Sequence, residues 1–134
     1  MRVIVFRKAD VIHTGDLVFN GLYPFIDLES GGSVEGVIAA ADRVLARCDA
    51  KTRIIPGHGP AATPADVKAY RDMVAGSYAA VKALAAAGKT KDEVVAARPT
   101  APWDETWGKG FLKPELYTTI LYSEADARLH PKTR

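Results

Sequence analysis

The sequence of 134 residues has little of what usually betrays a function. It holds one cysteine, Cys48, which excludes an internal disulfide. Only three histidines are present, His13, His58 and His130. No stretch approaches the ~20 apolar residues of a membrane span. The opening MRVIVFRKADVIHTG lacks the long apolar core and small-residue cleavage site of a secretory signal, so the expected compartment is the cytoplasm. Neither charge sign dominates: Lys+Arg 18 against Asp+Glu 16 gives +2, with the charges interspersed. That balance gives no footprint for a nucleic-acid or membrane-surface binder. A phosphate loop is missing too, because Gly31-Gly32-Ser33 has no lysine partner.

What is there is an ordinary globular composition, 48% hydrophobic and 25% charged, long enough for one domain with a modest core. Residues 2–6 and 11–13 read as strands joined by the polar turn Arg7-Lys8-Ala9-Asp10, a hairpin. A short strand over 17–19 follows a break at Gly15-Asp16, and then a long loop runs from Asn20-Gly21 to Gly31-Gly32. Ser33 is a suitable N-cap for a helix over 34–48, and 52–55 reads as the next strand. Thr63-Pro64-Ala65-Asp66 opens a long helix to Ala87, with Val67, Tyr70, Met73, Val74, Tyr78, Val81 and Leu84 on one face. Thr90-Lys91-Asp92-Glu93 is a capping box for a short helix to Ala97. Residues 99–110 read as irregular, Pro114 opens a last helix to about Ser123, and 124–134 reads as a polar, frayed tail. The expected class is α/β, a mainly antiparallel or mixed sheet with helices on one face, residues 1–87 forming the sheet-bearing part and 88–134 a helical extension. Its strands, 2–6, 11–13 and 52–55, are Val/Ile-rich as in sheets covered on both faces, so the face without helices lacks a partner.

Two segments carry the chemistry. His13-Thr14-Gly15-Asp16 and Pro56-Gly57-His58-Gly59-Pro60 each place a metal-capable side chain on a Gly-rich turn just past an apolar run. Asp16 alone reads as a turn former and His58 alone as a solvated loop residue; together, at one edge of one sheet, they make a metal pair. His13, three residues from Asp16, falls on the opposite side and either orients Asp16 or packs structurally. His130 reads as solvent-exposed, and Cys48 as a small buried hydrophobe on the helix stripe. Tyr23, Phe25 and Asp27 either line a pocket or anchor the long loop over the core. Asp104 and Glu105, between Trp103 and Trp107, read as solvated acids.

The run Ala9-Asp10-Val11-Ile12-His13-Thr14-Gly15-Asp16-Leu17, then Gly31-Gly32-Ser33, a helix, and Ile54-Ile55-Pro56-Gly57-His58-Gly59, resembles the metallo-β-lactamase-fold metallohydrolases, and among them bacterial zinc hydrolases of unassigned substrate. The resemblance spans residues 2–75. It implies the C-terminal half of a four-layer αββα sandwich built from two similar halves. It also implies that Asp16 bridges two zinc ions and that His58 is the last ligand of the second. In the complete enzymes of this family a metal-bound hydroxide attacks an ester, thioester or amide carbonyl. The family's His-x-His-x-Asp-His motif and a further ligand histidine are absent from this sequence, and His13 and His130 match no ligand position. Since a zinc site that activates water needs about three protein ligands and an open position, the expectation is weak zinc binding through Asp16 and His58, with no residue assigned to catalysis and no activity of the chain alone. A second expectation is an association module whose open sheet face meets a separate N-terminal half or a second copy of itself.

Overall fold

A computed structural model describes residues 3–131. A three-stranded mixed sheet lies at the front of the chain and five helices pack about it. The strands are β1 (Ile4–Phe6), β2 (Val11–Phe19) and β3 (Arg53–His58), and the helices α1 (Val34–Ala46), α2 (Pro64–Ala86), α3 (Lys91–Ala97), α4 (Ala101–Trp107) and α5 (Pro114–Leu129). The sheet order is β1-β2-β3. β1 pairs antiparallel with β2 across the tight turn, Val5 opposite Ile12, and β3 pairs parallel with β2 after the α1 crossover, Ile12 beside Ile54. Arg2, at the start of the expected first strand, lies outside the described residues, as do residues 132–134 of the expected tail.

Side-chain alternation splits the sheet into two unequal faces. Ile12 and Ile54 point inward and are sealed beneath α1 and α2, in one core with Val34, Val44, Val67, Tyr70 and Val74. Ile4, Phe6, His13 and Ile55 share the opposite face and stand exposed. α2 is the central helix, packed on α1, α3 and α5. Its buried stripe contains Val67, Tyr70, Met73, Val74, Tyr78 and Val81, as the 3.6-residue spacing requires. Both capping boxes form: Thr63 with Asp66 on α2, and Thr90 with Glu93 on α3.

Four expectations need correction. The strand over 11–13 and the strand over 17–19 are one strand: Gly15, at φ +54°, makes a bulge with register shifts against β3, so the ladder bends without ending. α1 stops at Ala46, which leaves Cys48 past the helix end and half-buried, its Sγ–H donating to the Val44 carbonyl (3.2 Å). Burial, then the charges of Asp10 and Asp49, raise its thiol pKa, which keeps it protonated. The segment over 99–110 is not irregular but contains α4, because Trp103 packs on the bare backbone of Gly76 and Trp107 enters the core. Finally, α5 runs six residues past Ser123, to Leu129, because Glu124 and Ala125 are buried.

Candidate functional site

The two metal-capable side chains meet across β2 and β3: Asp16 lies within β2, three residues before its end at Phe19, and His58 is the last residue of β3. Just beyond the Gly15 bulge the Asp16 Oδ1 lies 3.5 Å from the His58 Nε2, with side chains 61% and 46% exposed, so the pair faces solvent at the sheet edge. The chain brings them together through glycine. A Cβ on Gly57 would overlap Asp16 Oδ1 and the Gly15 carbonyl, so the close approach of β3 to the bulge of β2 requires that residue to be bare.

The His58 turn is tied down on every side. The Ile54 and Ala62 backbones exchange hydrogen bonds (2.9 and 2.8 Å), closing the loop that carries His58. The Asn20 N–H donates to the His58 carbonyl (3.0 Å), and the Asn20 Nδ2 donates to the Pro60 carbonyl (3.0 Å). Phe19 stacks on the imidazole with ring centroids 4.7 Å apart and planes 15° apart, while Phe111 leans on it from the loop before α5 at 5.5 Å. This aromatic pair, and Asn20, did not emerge from sequence; only the position of Phe19 at the end of an apolar run pointed toward the site.

The other candidates separate cleanly. His13 is exposed, and its Nδ1 accepts the Gly15 N–H (3.2 Å), so it steadies the bulge and makes no hydrogen bond to Asp16. His130 is exposed at the end of α5, its ring paired with Asp126 at 3.1 Å. Tyr23 is an anchor: fully buried, stacked on Tyr117 at 4.1 Å, with its hydroxyl donating to Asp104 Oδ1 (2.8 Å). Phe25 and Asp27 instead line a groove of about 880 Å3 that reaches Asp16. The expectation that Asp104 is a solvated acid is wrong. Its carboxylate also accepts the Thr100 hydroxyl (2.7 Å), so it locks the long loop onto α4.

A carboxylate oxygen and an imidazole nitrogen are donors that zinc accepts, and both are free to turn toward an ion. Among the described residues no group of three or more His, Cys, Asp or Glu side chains converges on one point. Asp16 and His58 thus fit a metal by donor type and fall short of a catalytic site by number, so no reaction step can be derived through a metal held by these residues alone. No helix among the described residues is long and apolar enough to cross a membrane. No protein-family model matches the chain, and no curated protein matches it significantly.

Proposed function

We propose that this chain is the C-terminal half of a zinc-dependent hydrolase of the metallo-β-lactamase type, inactive by itself, in which Asp16 and His58 are metal ligands. The observation that carries the reading is the meeting of those two side chains, 3.5 Å apart, one just past the bulge of β2 and one at the end of the parallel strand β3, with Gly57 bare to admit it. Asx-turn and solvated-loop roles for the two residues do not account for that convergence. The order of strand, Gly-Asp, helix, strand and Gly-His-Gly supports the same reading, and a cytoplasmic location accords with it. The remaining ligands, the second sheet of the sandwich and much of the pocket for an ester, thioester or amide belong to a companion half.

Calorimetric titration with zinc tests the proposal. The expected result is binding no tighter than micromolar, abolished in Asp16→Ala and in His58→Ala, with no turnover in esterase and lactamase screens. Zinc uptake that persists in both variants, or none at millimolar zinc, overturns the assignment. Stoichiometric sub-micromolar binding lost in both variants would show that a further ligand or a second copy completes the site.

A second reading, a non-catalytic association module, is favoured by a separate observation: Ile4, Phe6 and Ile55 stand exposed on a face of the sheet that no element among the described residues covers. Its partner would be a separate N-terminal half or a second copy of the chain.

A further inference from the structure

The groove that reaches Asp16 runs between the edge strand β1 and helix α1. Its walls are Val3 and Val5 on one side and Val37, Ala40 and Val44 on the other. Val5 belongs to the inward face of the sheet, level with the sealed Ile12 and Ile54, yet remains partly exposed because α1 covers β2 and leaves β1 bare. At about 880 Å3 the space is of the size that holds a small molecule. From Gly36 to Arg47 the lining follows α1 to its C-cap, about 16 Å at the helical rise.

The two ends differ in charge. Near the α1 N-terminus lie Asp16 and Asp27, the latter with its Oδ1 already accepting the Ser30 N–H (3.2 Å). At the other end are Arg43 and Arg47, one helical turn apart on the same side, and neither has a carboxylate partner among the described residues. Arg43 in the last turn of α1 and Arg47 at its C-cap each gain a few tenths of a kcal/mol from the helix dipole, and that would place them anywhere around the helix. It does not explain why both border the apolar groove.

We infer that this groove binds an elongated apolar ligand ending in one anionic head, a carboxylate or a phosphate monoester, with the head on Arg43 and Arg47 and the chain lying along Val3 and Val5 toward Phe25. Guanidinium groups recognise both heads by paired hydrogen bonds, and the apolar walls select against short or polar anions. The inference needs no metal and stands apart from the zinc assignment.

Titration of the full chain with dodecanoate and with dodecyl phosphate, below their micelle concentrations, tests it, with dodecyltrimethylammonium as the cationic counterpart. Saturable one-to-one binding of at least one anion is expected, weakened about tenfold or more in Arg43→Glu/Arg47→Glu, where two exposed side chains change and the fold is retained. Ile4→Lys/Ile55→Lys, on the opposite sheet face, should leave the affinity unchanged. Equal binding of the cation, or an affinity unaltered in the arginine variant, would reduce the groove to a nonspecific apolar surface and overturn the inference. So would loss of binding in the Ile4→Lys/Ile55→Lys variant. Absence of binding by either anion, or closure of the groove by a second copy at the protein concentration used, would also overturn it.

Discussion

Four tyrosines are sealed in the helical core, and their hydroxyls fare unequally. Tyr117 meets Ser77 at 2.8 Å and Tyr23 donates to Asp104 at 2.8 Å, whereas Tyr70 and Tyr78 have no hydrogen-bond partner. Burial raises all four phenol pKa values, Tyr78 up to about 12 with the Glu124 charge adding to it, so none ionises near neutrality. A buried hydroxyl without a partner forfeits about 1–3 kcal/mol of hydration. Tyr70→Phe should therefore be neutral or stabilise by up to about 1 kcal/mol, while Tyr117→Phe should cost about 1 kcal/mol. Paired thermal melts decide it, and a clear loss in Tyr70→Phe would show that its hydroxyl is satisfied by buried water. This level of detail was only partly legible in the sequence. Asp16 and His58 stood out because each sits on a local glycine turn. The lock on Asp104 did not, because Tyr23, its partner, lies 81 residues away along the chain.

Among the elements, those set by local signals were read correctly and those set by tertiary contact were not. The capping boxes at Thr63 and Thr90 need only four residues each, so both helix starts were visible. β2 was split at Gly15 because the ladder that carries it through the bulge is supplied by β3, forty residues on. α5 was cut short because Glu124 looks like a tail residue. In the fold that carboxylate is buried, and it caps another helix: Oε1 accepts the Val34 N–H (2.7 Å) and Oε2 the Glu35 N–H (3.4 Å). Arg128 then bridges Glu124 at 3.4 Å and Glu35 at 3.2 Å. A negative charge at the N-terminus of α1 favours the helix dipole, and the buried Val34 N–H has no other acceptor. Glu124→Ala should cost about 1–3 kcal/mol, and Glu124→Gln, which keeps an acceptor and loses the charge, should cost less. Urea unfolding measures both. An alanine variant as stable as the parent would mean that water caps α1 equally well.

For the molecule as a whole, the decisive fact is a sheet with helices on one side only. α1 and α2 seal Ile12 and Ile54, while Ile4, Phe6 and Ile55 are 54%, 50% and 42% exposed on the other face. Single exposed apolar residues are ordinary; here Ile4 and Phe6 on β1 and Ile55 on β3 flank His13 of β2 on one face of a small sheet and form a patch. Full burial of such side chains is worth roughly 1.5–3 kcal/mol each, and since these three are about half exposed, covering them would add a few kcal/mol, against a small domain's net stability of about 5–15 kcal/mol. The free edge of β1 is only three residues long and offers few unpaired backbone groups, so the apolar face rather than the edge drives association. The alternating contrast between a sealed inner face and a bare apolar outer face therefore favours association over a rigid monomer. Sedimentation across concentration, together with a dye that reports exposed apolar surface, should show the chain dimerising, aggregating or binding dye. Ile4→Lys/Ile55→Lys should shift it toward a dye-silent monomer without disturbing the Asp16–His58 pair, because both side chains stand exposed on the outer face, where a lysine can reach solvent. A parent chain that is monodisperse, melts cooperatively and binds no dye would mean that the helical core suffices and the open face is tolerated, and the half-sandwich proposal would fall with it.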